Sequence, residues 1–433
     1  MLSDHNLNHE LNQGNKRMHM LWIVALLALS AGPALADTNV YGIPDECEVS
    51  IWSCAPPGKT GPEAPRRLER TFMSGRWSSR AAHASPSRRF LLFHQDRKLV
   101  LRFGDKRTEI PLDLTAYASR EVAFSPDERL VATWGPRASA ESPGVIALTR
   151  LQPGKDPTTK VAYTGTKDRR PFAFAFSPSG SSLYVASTAS GDAKGTKLGR
   201  VERVAIPSLK PKVIYEAPGP IDLLAPPVAY FSRGQGPIRR PYEVLVGEAR
   251  GLFLVDARGR SRPLKGIQGR GIQNVAWYPN PRTRELLVYV HKPPTGGQSG
   301  VYRLDLSTAS PALELLEATS KVHTLWYSPN GRLATWATPE AVVVCDLQAS
   351  PPATRRFKSP GAEIKGCEWN LSSQRVAITL GGELWAWEPA RDKRTKLTQF
   401  TVGFLADPRW AGDHVLVSHY RKAKAPASPV APR

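Results

Sequence analysis

Apolar and polar residues alternate along most of this chain in runs of about four to eight positions, and clusters of Pro, Gly, Ser, Asn and Asp interrupt the runs. A period of two predicts half-buried β-strands joined by tight turns. One phrase recurs: VAFSPDERLVATWG at 122–135 is echoed by FAFSPSGSSLYVAS at 174–187 and LWYSPNGRLATWAT at 325–338. Each copy runs into an aromatic residue (Phe124, Phe176, Trp326 with Tyr327), bends at a Ser-Pro turn and leaves as a second alternating run. That layout is a hairpin. Proline suits the bend because its fixed φ pre-sets the turn and its missing N–H costs nothing where the ladder ends. Gly180 and Gly331 supply a permissive backbone at the end of the turn, a place that Glu128 takes in the 122–135 copy.

Fainter copies fill the remainder: AAHASPSRRFLLFHQ at 81–95, VAWYPNPRTRELLVYV at 275–290, CEWNLSSQRVAITL at 367–380 and PRWAGDHVLVS at 408–418. Between Pro178 and Pro279 there is room for two units, and VAYFSRGQGPIRRPYEVLVG at 228–247 reads as a copy with a lengthened turn. Third strands follow, such as GLFLVDA at 251–257, GVYRLDL at 300–306, AVVVCDL at 341–347 and GELWAWEP at 382–389. More polar fourth strands come after them, among them RTEIPL, KVIYEA and TRRFKS. A period of about 40 to 50 residues with four short strands per unit predicts an all-β protein, a β-propeller of four-stranded blades. The C-terminal copy stops after two strands, whereas CEVSIWSCA and RRLERTF near the start resemble a third and a fourth strand. The two ends are therefore expected to share the last blade and close the ring. Units starting near 77, 121, 171, 222, 270, 322 and 364, plus the shared one, make eight blades; seven is the alternative, because the unit at 222–263 is the least regular.

The turn segments Phe124-Ser125-Pro126-Asp127, Phe176-Ser177-Pro178-Ser179-Gly180 and Tyr327-Ser328-Pro329-Asn330-Gly331 resemble the repeats of TolB-type bacterial β-propellers and, more weakly, WD-like ones. The likeness covers about 47–419. It implies the propeller fold, an exported setting and, for TolB itself, capture of a peptidoglycan-associated lipoprotein.

The ends support export. Lys16 and Arg17 precede the apolar run MLWIVALLALSAG, and Ala34-Leu35-Ala36 offers a cleavage site between Ala36 and Asp37. The expected organisation is a signal peptide at 1–36, a short segment at 37–46, the propeller at 47–419 and a basic, Pro/Ala-rich disordered tail at 420–433. A periplasmic or secreted location follows. Cys47 and Cys54 are the tempting disulfide pair. A strand between them would hold them roughly 20 Å apart, beyond the ~7 Å that a bridge spans, and the strand is the favoured reading; Cys345 and Cys367 are left unassigned.

Chemistry is much less legible. Gly58-Lys59-Thr60 lacks the earlier glycine of a phosphate loop, since Ser53 stands there, and Ser299 has the wrong spacing for a nucleophile elbow. His83, His94, His291, His323 and His414 form no pair at metal-ligand spacing. No catalytic residue, metal ligand or cofactor is assigned. Asp127, Asp256, Asp305 and Asp346 recur at turns and strand ends, where capping of local N–H groups explains them. The formal net charge of +21 favours anionic partners: an acidic envelope protein, a cell-wall polymer or lipid head groups at a membrane periphery. Nucleic acid is a poor candidate for an exported protein. The leading expectation is a non-enzymatic, monomeric interaction platform in a bacterial envelope, with the loops at 135–145 and 188–199 as contact candidates. The alternative is a hydrolase or lyase on a polysaccharide or other anionic polymer, which requires two carboxylates facing each other across a channel mouth.

Overall fold

The structure, a computed structural model, describes most residues from Val122 to Lys422, and before them only the strands Glu46–Cys54, Arg66–Ser74, Ala82–Ala84, Phe90–Gln95, Lys98–Phe103 and Lys106–Ile110. The segments 1–45, 135–143, 190–197, 226–242, 265–270, 280–284, 292–296 and 423–433 lie outside the described residues, as do shorter pieces between strands. The expected cleavage site at Ala36 and Asp37, the Gly58-Lys59-Thr60 loop and most of the two contact loops therefore fall outside them.

Every described strand belongs to one of eight four-stranded antiparallel sheets. The first strands of blades 1 to 8 are Ala82–Ala84, Val122–Phe124, Arg169–Phe176, Ile221–Ala225, Gly271–Trp277, Thr324–Tyr327, Ile364–Trp369 and Phe404–Ala411. Within blades 1 to 7 the four strands follow one another along the chain and in the sheet. Blade 8 is composite: Phe404–Ala411 and His414–Lys422 are followed in the sheet by Glu46–Cys54 and then Arg66–Ser74. Its closing register runs from Cys47 opposite Lys422 to Cys54 opposite Val415, so the propeller reaches Lys422, past the expected boundary at 419. Pairing between the ends removes the two open edges that a linear array of sheets would leave. Cys47 and Cys54 lie in one continuous strand, in agreement with the favoured reading.

The first strands of neighbouring blades pack against each other, as in blades 2 with 3, 3 with 4, 5 with 6 and 7 with 8, which places them innermost. The core lies between blades. Leu223, Leu245 and Leu254 of blade 4 share one cluster with Val275, Leu286 and Val288 of blade 5, and Ala276 and Tyr289 of blade 5 share the next with Trp336 and Val343 of blade 6.

The repeated phrase now has a physical account in two parts. Its serine organises the turn: the Oγ atoms of Ser125, Ser177 and Ser328 accept the N–H groups of Leu130, Ser182 and Leu333 at 2.9, 3.1 and 3.0 Å. The Oγ of Ser125 and Ser328 also donates, to Asp127 Oδ1 at 2.6 Å and Asn330 Oδ1 at 2.7 Å. The residue after the bend is left-handed in four copies, with φ of 58° at Glu128, 69° at Gly180, 76° at Gly331 and 60° at Ser373. Glycine is favoured there. At Gly331 a Cβ would in addition fall 2.3 Å from the end of the Tyr278 side chain, which would have to move.

The aromatic residue before the turn ties its blade to the preceding one. Trp277 Nε1 donates to the Ala225 carbonyl at 3.3 Å, Tyr327 OH to Glu285 Oε1 at 2.7 Å and Trp369 Nε1 to Thr335 Oγ1 at 2.8 Å. In blade 8, Trp410 Nε1 donates to the Glu368 carbonyl at 3.1 Å. Buried aromatic rings with one polar handle suit such a position, because each handle needs a partner once water is excluded. The third strand's acidic residue closes the same end: Asp256 Oδ1 accepts from Arg258 and Arg260 N–H at 2.9 Å, and Asp346 Oδ1 accepts from Gln348 N–H at 3.0 Å.

Candidate functional site

The two ends of the blades differ. The Ser-Pro turns and the acidic strand ends occupy one face of the propeller; the connections between blades and between second and third strands occupy the other. On that second face the first strand is kinked in blade after blade. The pairing register skips Phe172 in blade 3, Asp222 in blade 4, Gln273 in blade 5, Lys365 in blade 7 and the Asp407-Pro408 pair in blade 8. In blade 6 the N–H of His323 bonds the carbonyl of Ala337, the residue that Thr324 also faces, at 2.8 Å, so His323 occupies the same place. A β-bulge leaves one residue unpaired and re-aims its side chain. Six innermost strands thus carry Phe172, Asp222, Gln273, His323, Lys365 and Asp407 at equivalent backbone positions near this face; Asp222 is exposed and His323 and Lys365 half-buried there, whereas Phe172 packs on the core cluster of blades 3 and 4 and Asp407 is buried.

The position has a fixed offset. Phe172, Gln273, His323 and Lys365 each precede by five residues the one that opens the turn, namely Ser177, Tyr278, Ser328 and Asn370. This offset was the available sequence signal, and it also falls on Arg80 and Arg120, outside the described residues. Reading the turn motifs alone missed the ring, because its residue types share no chemistry.

The best-defined part of the mouth spans blades 5 to 8. The connection that carries Lys321 and His323 is held from blade 5, where Tyr289 OH donates to the Ser320 carbonyl at 2.6 Å and Asn274 Nδ2 donates to the Val322 carbonyl at 3.2 Å. Burial pushes the Tyr289 phenol up to about 12, so it stays a donor at neutral pH. His323 Nε2 lies 3.5 Å from Glu363 Oε1, and Lys365 Nζ donates to Glu363 Oε2 at 2.6 Å. Burial, with Lys321 second, pulls the His323 imidazole below its ordinary range, while the bond from Lys365 holds the Glu363 carboxyl below its own. At neutral pH the trio is a neutral imidazole beside an ion pair. Blades 7 and 8 meet here without slack: a Cβ on Gly366 would come 2.9 Å from Pro408 Cδ, and Asp407 takes a left-handed φ of 51°.

Blade 4 brings two carboxylates to this end. Glu248 is buried and accepts from Tyr215 OH at 3.1 Å and Arg250 Nε at 2.8 Å. Asp222 is exposed beside it, and its carboxyl is raised by desolvation first and the Glu248 charge second. The two carboxylates lie on the first and second strands of one blade, side by side along a sheet rather than opposed across the mouth.

The other sequence candidates sit elsewhere. Phe124, Phe176 and Tyr327 are buried, and Ser125, Pro126, Asp127, Ser177, Pro178, Gly180, Ser328, Pro329 and Gly331 form the turns of the opposite face. The carbonyl of Ser299 accepts the Thr319 N–H at 3.0 Å, a backbone role in joining connections. Cys345 and Cys367 are buried, with Cys367 Sγ 3.5 Å from Thr324 Oγ1, and burial pushes the Cys345 thiol up to about 11, which keeps it protonated. Among the described residues no group of three or more His, Cys, Asp or Glu side chains is placed to hold a metal ion. No described helix is long and apolar enough to cross a membrane.

With this geometry in place, comparison with known proteins adds little chemistry. No family model matches the chain, and no curated protein sequence does. Among solved structures, the oligogalacturonate lyase of Vibrio parahaemolyticus aligns at TM-score 0.49 and 11% identity over 78% of this chain and 88% of its own. The hydrazine synthase of Kuenenia stuttgartiensis aligns at TM-score 0.38 and 12% identity over 71% and 76%. Likeness at this level carries no argument about activity. The chain's own sheets and their closure define its class: an eight-bladed β-propeller.

Proposed function

We propose that this protein is an exported, non-enzymatic β-propeller that serves as an interaction platform in a bacterial cell envelope, with its partner docking at the mouth carrying the bulged residues. One observation carries the reading: at an equivalent place in the first strand the residue differs from blade to blade, with Asp222, His323 and Lys365 exposed or half-buried there, while the opposite face repeats its turn chemistry. Repeated positions serve the fold. Positions that differ from blade to blade make a single composite surface able to distinguish partners. An acidic envelope protein, as in the TolB-like reading, is the favoured partner, given the overall charge of +21.

The test is affinity capture from an envelope extract at low and high salt, comparing the wild type with the mouth variant Asp222→Lys, Lys321→Glu. One protein retained at high salt by the wild type and lost by the variant supports the platform. The same capture by both removes the mouth from the reading.

A second reading, a hydrolase or lyase acting on an anionic polymer, is favoured by Asp222 alone, whose raised carboxyl beside Glu248 suits proton transfer. It requires polymer turnover by the wild type that Asp222→Asn abolishes. Absence of turnover on carboxylated polysaccharides removes it.

A further inference from the structure

The charge excess is not spread evenly around the outer rim. In blade 5 the outermost strand Leu313–Ala318 carries Glu314 and Glu317 and no cation. Next to it, Ala353–Lys358 of blade 6 carries Arg355, Arg356 and Lys358, and Lys393–Gln399 of blade 7 carries Lys393, Arg394 and Lys396, both without an acidic residue. Arg66–Ser74 of blade 8 continues the series with three arginines and one glutamate. By contrast, Pro211–Ala217 of blade 3 holds one lysine and one glutamate.

The cations of blades 6 and 7 stand on a rigid base. Arg394 Nη2 donates to the Arg356 carbonyl at 3.2 Å and Arg355 donates to the Pro389 carbonyl, so each blade's outer region is bonded to the other's. Beneath them Phe357 meets Trp385 and Trp387 at 5.8 and 6.0 Å between ring centroids, and Arg394 lies 5.2 Å from the centre of the Phe357 ring. Some charge is neutralised locally: Arg356 Nη1 bonds Glu317 Oε1 at 3.0 Å, Lys396 Nζ bonds Glu383 Oε1 at 2.6 Å and Arg394 Nη2 bonds Asp392 Oδ1 at 3.1 Å. The side chains of Lys358 and Lys393 are exposed and make no hydrogen bond or ion pair among the described residues, and Arg391 is exposed with only a 3.9 Å approach to Glu388.

We infer that the outer rim of blades 6 and 7 is a docking surface for a linear carboxylated polysaccharide, a site separate from the channel mouth and independent of what binds there. Charge complementarity selects a polyanion. The limits of the stripe select a chain over a membrane. A broad anionic plane would also meet Glu314 of blade 5, and the described exposed large apolar side chains, Val161, Leu198, Val213, Leu315 and Val402, all lie off the two strands, which leaves nothing to insert into a bilayer. The line of charge selects the kind of chain. Alternate residues such as Arg356 and Lys358 stand about 7 Å apart along a strand, so the cations form a file of discrete point charges that a linear polymer with one carboxylate per sugar ring can follow, and aromatic rings braced beneath the cations keep the surface preorganised.

The experiment uses the purified full chain with alginate as the probe, and with polyphosphate and phosphatidylglycerol vesicles as separate arms, each at low and high salt. Two triple charge reversals are compared: Lys358→Glu, Arg391→Glu, Lys393→Glu on the stripe, and Lys160→Glu, Lys210→Glu, Lys212→Glu on blades 2 and 3, where all three lysines are also exposed. The stripe variant is expected to lose about tenfold or more in alginate affinity, and the control less than about twofold, with both keeping the wild-type melting temperature. Equal losses in the two variants overturn the inference in favour of delocalised charge. Tighter binding to polyphosphate or to vesicles than to alginate overturns it in favour of those ligands. Because the mouth variant Asp222→Lys, Lys321→Glu leaves the stripe intact, unchanged alginate binding by that variant separates this surface from the platform, and loss there assigns the polymer to the mouth instead.

Discussion

The two faces of this propeller were built from the same strands under different constraints. On the face of the Ser-Pro turns, each blade solves one problem in the same way: reverse the chain, satisfy the turn's N–H groups and anchor an aromatic ring on the previous blade. On the other face the first strand bulges at a constant place, and the residue at the bulge changes from phenylalanine to aspartate, glutamine, histidine and lysine. Uniform geometry with variable chemistry is what a scaffold offers to a binding surface. The bulge sets the position, and at Asp222, His323 and Lys365 the side chain is left exposed or half-buried rather than packed into the repeat's core.

That contrast predicts a gradient of mutational effects. The largest belongs to the repeated face: Gly331→Val brings a Cβ into the Tyr278 ring and forces a branched residue to a φ of 76°, at a cost of about 3 kcal/mol by denaturant unfolding. A loss under about 1 kcal/mol would mean that the blade 5 and 6 junction is looser than its geometry. Next comes Glu285→Gln, which weakens the buried acceptor of Arg303 Nη2 at 2.7 Å and of Tyr327, with an expected loss of about 2 kcal/mol. Ser328→Ala removes the acceptor of the Leu333 N–H and should cost about 1 kcal/mol. At the mouth, Asp222→Asn and Lys321→Glu are each expected to change stability by less than about 0.5 kcal/mol while altering partner capture. Should the mouth variants destabilise as much as Ser328→Ala, the distinction between the faces collapses.

The smallest effect is one of pH. The His323 imidazole has its folded value lowered from 6.5, so below that value the unfolded chain binds more protons than the folded one. The stability derived from keeping it neutral is therefore present above about 6.5 and lost as pH falls below it. Unfolding midpoints measured from neutral pH to about 5 should fall more steeply in the wild type than in His323→Gln. Parallel curves would show that His323 protonates freely in the folded state.

How much of this was legible depended on whether the signal was local. The hairpins, the third strands ending at Asp256, Asp305 and Asp346, and the shared last blade could be read directly, because alternation, turn residues and missing strands are properties of short windows. Unit 4 was the hardest. Its first strand is Ile221–Ala225, ahead of the VAYFS stretch that resembled the repeat, and the long interval before Glu243–Glu248 masked the hairpin. The alternative's carboxylates opposed across the mouth could not be judged from the chain at all. Asp222 and Glu248 do come together, but as neighbours in one sheet, and Arg250 and Tyr215 occupy Glu248.

The amino-acid sequence by itself determined the architecture: four strands per unit and the chemistry of each turn follow from residues close together in the chain, and a ring closed by its two ends follows from the incomplete units at either end. Only the tertiary structure decided which residues form a surface. The mouth gathers Asp222, His323 and Lys365 from three blades, the outer stripe joins Lys358 to Lys393, and neither assembly has a local signature. The physical reason is that pairing within a blade is set by hydrogen bonds between successive strands, whereas the arrangement between blades is set by packing of buried side chains across the gap.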